Sequence, residues 1–238
     1  MPATVVLVHG AWHGAWCWGK VVEELRARGI PAVAIDLPGH GASTEPLGDL
    51  LDDAAALRAT LDGLDDAVVC GHSYGGAVVS EGAADHPAVR HLVFVSAFPL
   101  APGESCSQSV SIPEGVDLSR LADAIRADED GIVTIDPEIA VDAFYHDCPP
   151  ADVELALRSL GGQRRESLET RVRRAAWQDC PSTYAVCTDD RAVPVPLQRA
   201  LAARATDVVD WPTGHSPFFA RPDLVTSLLT ARAGGPET

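Results

Sequence analysis

The chain has 238 residues, 46% of them hydrophobic and 22% charged, with a net charge of −16. That composition is globular, the length suits one large domain or a domain carrying an insertion, and roughly 70–75% of the extended surface should be buried. The acidic balance argues against nucleic acid as a partner, because phosphates demand a basic face; it favours solubility and says little more.

No apolar run approaches the ~18 residues of a membrane span. The short run at residues 5–8 has no basic residue ahead of it, so neither a signal peptide nor a membrane partner is expected, and the protein is read as cytoplasmic. The six cysteines (Cys17, Cys70, Cys106, Cys148, Cys180 and Cys187) show no metal-ligand or redox spacing and read as free thiols. Lys20 is the one lysine among 18 basic residues; with many alanines, this looks like a GC-rich bacterial coding sequence.

In chain order, Thr4–Val8 is a continuous β-branched run suited to a buried parallel strand. A loop follows at residues 9–18, with three tryptophans in seven residues that need a hydrophobic wall. Val21, Val22 and Leu25 repeat at helical spacing, and Gly29 stands where that helix should stop. Ala32–Ile35 is the next strand; it leads into a loop at 36–43 and a helix over 50–61. Residues 68–70 read as a buried strand, 75–84 as a helix packed close to it, and 91–96 as another strand. Strands alternating with helices define an α/β fold, a parallel sheet covered on both faces by crossovers of one hand.

After Phe98 the pattern changes. Residues 99–180 show helical windows at 118–127, 137–144, 152–160 and 168–177, and the one strand candidate there is 132–135. A strand at 183–187, a helix at 197–204, a strand at 207–209 and a closing helix at 222–231 resume the core. The expected organisation is a core of residues 1–98 and 181–238 bracketing a helical cap, residues 99–180.

Between the strand at 68–70 and the helix at 75–84 lies Gly71-His72-Ser73-Tyr74-Gly75. So tight a strand-to-helix turn strains its central residue, and glycines on either side omit the side chains that would collide. The serine oxygen is then held at a helix N-terminus, where developing negative charge meets the helix dipole and unpaired N–H groups. A serine hydroxyl is a poor nucleophile at neutral pH and needs a base, with a carboxylate to fix that base's tautomer. His215, in a loop between the last strand and the last helix, is the candidate base. His9, His13 and His72 are expected to tie down loops by hydrogen bonds, while His40, His86, His91 and His146 have ordinary structural or surface readings. Asp189 and Asp190 both follow the strand at 183–187 and are candidate acids.

His9-Gly10-Ala11-Trp12 near the N-terminus, Asp36-Leu37-Pro38-Gly39-His40-Gly41-Ala42-Ser43 after the second strand, Gly71-His72-Ser73-Tyr74-Gly75-Gly76, Thr188-Asp189-Asp190-Arg191-Ala192-Val193-Pro194 and Gly214-His215-Ser216-Pro217-Phe218 carry a resemblance. With them the sequence resembles the α/β-hydrolase superfamily along its whole length. The loop at residues 9–18 looks like the branch containing plant methyl esterases and hydroxynitrile lyases. The resemblance implies a mostly parallel six-stranded sheet with helices on both faces and the helical insertion forming a lid over Ser73. It favours Asp190 as the acid, since Asp190 stands before a Val-Pro closure as the family's acid does. It also implies that the backbone N–H groups of Ala11 and Tyr74 form the oxyanion hole.

The lyases of that branch carry a threonine where this chain has Gly10 and a lysine where it has Ser216. Both departures point away from cyanohydrin cleavage and toward an ester or thioester hydrolase acting through an acyl-enzyme. Trp12, Phe98, Phe144, Tyr145, Trp177 and Phe218 are candidate pocket residues for a small-molecule ester, apolar or aromatic, and each could equally be plain core. No metal or organic cofactor is implied, since the chain has no H-E-x-x-H pair, dinucleotide fingerprint or phosphate-cradling lysine. Three hypotheses stand: a carboxylesterase, such as a methyl esterase or lactonase; a lyase or carbon–carbon hydrolase using the same triad; and a ligand-binding receptor without turnover.

Overall fold

Val5, Val6, Leu7 and Val8 are all fully buried, so the strand they form is covered on both faces, as its unbroken apolar run requires. A computed structural model of the chain describes residues 1–107, 114 and 125–234. The first strands are β1 (Thr4–Val8), β2 (Ala32–Ile35), β3 (Ala67–His72) and β4 (Val89–Val95). The short strands β5 (Ile125–Ala127), β6 (Ile132–Ile135) and β7 (Gln163–Arg164) follow, then β8 (Ser182–Cys187) and β9 (Asp207–Trp211). Six of them form one sheet in the order β2-β1-β3-β4-β8-β9, every neighbour parallel.

The core helices are α1 (Gly19–Ala27), α2 (Leu50–Leu61) and α3 (Gly75–Gly82). The connection from β4 to β8 carries α4 (Pro137–Phe144), α5 (Pro150–Ser159) and α6 (Arg165–Glu169), and the chain closes with α7 (Val195–Ala202), α8 (Pro217–Ala220) and α9 (Pro222–Arg232). α1 packs with α9, and α2 with α3. Asp49 starts α2 by accepting from the Leu51 and Asp52 amides, while the Asp52 carboxylate reaches back to the Asp49 amide. Among the described residues no helix is long and apolar enough to cross a membrane.

The connection from β4 to β8 is not purely helical. β5, β6 and β7 form a three-stranded antiparallel sheet. The helical window expected at 118–127 ends in β5, and its residues 118–124 lie outside the described ones. The β5–β6 turn explains the switch: Asp128 Oδ1 accepts from the Asp130 and Ile132 amides, and Gly131 takes φ +77°, a conformation glycine enters without strain. The window at 168–177 also fails to form one helix; α6 ends at Glu169 and a single 3₁₀ turn occupies Ala176–Gln178. Acceptors from elsewhere in the fold take the amides a helix would need. The Val172 amide donates to the Glu104 carbonyl, and those of Arg173 and Arg174 donate to Glu81 Oε2.

Candidate active site

The turn after β3 holds Ser73 at φ +52°, the left-handed region that a non-glycine residue occupies only under constraint. The constraint is backbone packing on three sides. A Cβ on Gly71 would lie 2.6 Å from the Gly75 carbonyl oxygen, one on Gly75 2.6 Å from that of His9, and one on Gly76 2.7 Å from the Phe98 nitrogen. Only glycine lets α3 start so close to β1 and to the end of β4. The Ser73 amide donates to the Val95 carbonyl and its carbonyl accepts from the Phe98 amide, which ties the turn to the neighbouring strand.

His215 and Asp190 come from the loops after β9 and β8, adjacent strands of the sheet. His215 Nδ1 lies 2.8 Å from Asp190 Oδ2; a carboxylate only accepts, so Nδ1 carries the proton and Nε2 is left as the ring's acceptor. The Asp189 backbone instead turns to the Thr213 carbonyl. The Asp190 carboxylate is held by five donors. Oδ1 accepts from the Ala192 and Val193 amides at 2.7 and 2.9 Å, and Oδ2 accepts from Ser96 Oγ at 2.5 Å, from His215, and from Gln198 Nε2 at 3.2 Å. So many donors fix the direction of the carboxylate.

Ser73 and His215 both line a cavity of about 30 Å³, with Gly10, Ala11, Trp12, His13, His72, Phe98, Phe144, Ala192 and Val193. Among the described residues neither the Ala11 nor the Tyr74 amide donates to a protein acceptor, and these are the two groups expected to meet an oxyanion. Of the candidate pocket residues, Trp12, Phe98 and Phe144 face the cavity. Tyr145, Trp177 and Phe218 do not. The Tyr145 hydroxyl donates to His13 Nε2 at 2.7 Å, Trp177 Nε1 donates to the Leu100 carbonyl, and Phe218 is wedged between Trp18 and His72.

The other histidines near Ser73 act as struts. His9 Nδ1 donates to the Gly10 carbonyl and Nε2 accepts from the Leu37 amide; His13 Nδ1 donates to the Ala11 carbonyl; His72 Nε2 donates to the His215 carbonyl. Burial holds the His9 and His72 rings well below the usual imidazole range and brings His13 down to about 4, with neighbouring histidines adding to the effect. They are therefore neutral at pH 7. His40 is more than a surface residue: it is 2% exposed and its Nε2 lies 3.0 Å from Gln163 Oε1. The Tyr74 side chain leaves the cavity and donates to Asp53 Oδ2 on α2 at 2.5 Å. Sequence reasoning missed Ser96, Gln198 and Gln163; nothing in their local pattern marks them, because each acts through a partner distant in the chain.

The sequence profile of the alpha/beta hydrolase family matches residues 5–228, and the chain belongs to that family. It is 30% identical to the alpha/beta hydrolase nvfD of Aspergillus novofumigatus, covering 98% of both chains. It is also 30% identical to methyl jasmonate esterase 1 of Vitis vinifera, covering 94% of each. Among solved structures, a pyrethroid hydrolase from Sphingobium faniae JZ-2 superposes with a TM-score of 0.84 at 25% identity, over 98% of both chains. The likeness to plant methylesterases covers 94–96% of the chain, as the loop at residues 9–18 leads one to expect.

Proposed function

We propose that this chain is a serine carboxylic ester hydrolase in which Ser73 is the nucleophile, His215 the base and Asp190 the acid. The Ala11 and Tyr74 amides form the oxyanion hole, and residues 99–180 are a cap over the site. The observation that carries the reading is the 2.8 Å contact of His215 Nδ1 with Asp190. Nε2 is then the ring nitrogen free to accept, and His215 lines the same cavity as the strained Ser73. Relatives named as esterases and hydrolases support the same chemistry.

In this mechanism Ser73 Oγ attacks the ester carbonyl carbon as His215 Nε2 takes its proton. The carbonyl oxygen becomes an oxyanion held by the two amides. Collapse breaks the bond to the alkoxy group, which leaves as the alcohol with the proton from His215. Water, deprotonated by the same nitrogen, then attacks the acyl-Ser73 ester, and the acid departs as the serine recovers its proton. The apolar character of Trp12, Phe98, Phe144, Ala192 and Val193 around Ser73, and not the cavity's volume of about 30 Å³, supports a small alkyl or aromatic ester, a methyl ester or a lactone as the substrate class.

The lyase alternative fits less well. A Cβ on Gly10 would stand 3.0 Å from both His72 Nδ1 and Ser73 Cβ, so a threonine there would crowd the nucleophile. The test is reaction with a fluorophosphonate and with p-nitrophenyl acetate. Wild type is expected to be labelled at Ser73, and Ser73→Ala to be unlabelled and slower by on the order of 10³-fold or more. A folded wild type no faster than Ser73→Ala would make the chain a receptor. Faster cyanide release from mandelonitrile, or carbon–carbon cleavage of a vinylogous diketone, would make it a lyase or C–C hydrolase.

A further inference from the structure

Trp12 follows the Ala11 oxyanion donor and sits at φ +64°, a left-handed conformation that is strained in a bulky residue. What holds it there comes from the β4–β8 connection. The Trp12 amide donates to Gln163 Oε1 at 3.3 Å, its carbonyl accepts from the Gly161 amide at 2.9 Å, and its indole Nε1 donates to the Val133 carbonyl at 3.0 Å. All three polar groups of the residue are thus spent on that connection. The Ala11 carbonyl, on the same peptide plane as the Trp12 amide, is held by His13.

Gln163 is the one side chain in this set and is 1% exposed. Its Oε1 faces His40 Nε2 at 3.0 Å as well as the Trp12 amide, while its Nε2 donates to Ser167 Oγ at 2.5 Å, and that hydroxyl donates on to the Arg164 carbonyl at 2.6 Å. One amide therefore ties the loop after β1 to the antiparallel sheet and packs against His40 of the loop after β2.

We propose that Gln163 is a positioning residue: by holding the Ala11–Trp12 peptide at the entry to the left-handed turn it fixes the backbone of Ala11 on its C-terminal side, and so helps aim the N–H of the preceding Gly10–Ala11 peptide, whose carbonyl His9 and the His13 amide hold, at the oxyanion. The inference rests on the hydrolase reading above. The cap is then part of the catalytic scaffold as well as a cover, because docking the antiparallel sheet is what shapes the oxyanion loop. The chemistry fits the role. A misdirected donor weakens binding of the tetrahedral adduct while leaving binding of the planar ester nearly untouched.

The test compares wild type with Gln163→Met, which keeps the length and removes the acceptor. Three measurements are made: kcat and KM for a p-nitrophenyl ester, and affinity for a trifluoromethyl ketone, whose adduct with Ser73 carries the oxyanion. Loss of one oxyanion donor typically costs about 10²–10³ in rate. Mis-aiming it is expected to lower kcat by about 10–100-fold, with KM changed by less than about threefold and ketone affinity falling in parallel with kcat/KM. A folded Gln163→Met with wild-type kcat and ketone affinity overturns the proposal. So does a variant in which KM carries the whole loss, since that is a generic pocket defect. Should Gln163→Met not fold, Ser167→Ala, which frees the far end of the amide, decides the matter. A smaller loss confined to kcat and ketone affinity supports the proposal, and wild-type values overturn it. Phosphonate labelling of Ser73 in wild type keeps the two readings apart: without the label both fall, and with it the variants judge Gln163 alone.

Discussion

Ser96 ends β4 at φ +42°, is fully buried, and gives Asp190 Oδ2 its shortest hydrogen bond while standing 3.4 Å from His215 Nδ1. A hydrogen bond to a charged group contributes about 1.5–3 kcal/mol, so Ser96→Ala should lower kcat/KM roughly tenfold or more. Ser96→Gly removes the same hydroxyl but relaxes the positive φ. It should share the kinetic defect while melting at or above the temperature of Ser96→Ala. Wild-type kcat/KM in both variants would reduce Ser96 to packing.

At the scale of elements, the turn at Ser73 depends on β1, β4 and α3 meeting without side chains between them. Gly75→Ala would place its Cβ 2.6 Å from the His9 oxygen and 2.7 Å from the Val8 oxygen. Both are main-chain atoms of a buried strand and its exit, so neither can swing aside. Overpacking of this kind costs about 1–3 kcal/mol; a lower denaturant midpoint and slowed phosphonate labelling of Ser73 are expected. Unchanged stability and labelling would show that the turn has slack. The six core strands and this turn are legible in the sequence because each is written in contiguous residues, β-branched runs and glycines at fixed offsets, whereas the candidate acid is picked out by a Val-Pro closure to which the family resemblance gives its meaning. β5 and β7, of three and two residues, are too short to carry a period and exist through pairing with β6. The extended stretch at 172–174 has helical composition and is overridden by Glu81 and Glu104. For the same reason Ser96, Gln198 and Gln163 go unseen, while Tyr145 and Phe218 look like pocket residues until the chain is folded.

Across the whole molecule, buried ionisable groups set opposing slopes of stability against pH. His9, His13 and His72 are held neutral by burial, His13 with a folded value of about 4, whereas unfolded they titrate near about 6.5. Their contribution is therefore present above about pH 6.5 and lost as pH falls toward 4. Asp53 runs the other way. Burial raises its carboxyl from 3.8 to about 7, so its contribution is present below 3.8 and lost as pH rises through 7. At about 1.4 kcal/mol per pKa unit the change amounts to a few kcal/mol. Asp53→Asn keeps an acceptor for the Tyr74 hydroxyl and removes the titration. Its melting temperature should gain on wild type between pH 5 and pH 8; a constant offset would show that Asp53 does not titrate in that window.

The segment between β4 and β8 leaves and rejoins the sheet at side-by-side strands, with Leu92 opposite Ser182 and Val95 opposite Ala185. Because the two strands are parallel, its ends at Val95 and Ser182 stand one strand spacing across, about 4.8 Å, and three residues of rise along the strands, about 10 Å. Lengthening such an excursion is cheap, about 0.6 kcal/mol for each doubling, and it shifts no register in the strands that present Ser73, Asp190 and His215. Change within this one excursion can therefore alter its own contributions to the cavity lining, Phe98 and Phe144, while Ser73, Asp190 and His215 stay where the sheet puts them, save at Trp12, a lining residue whose polar groups the excursion itself holds.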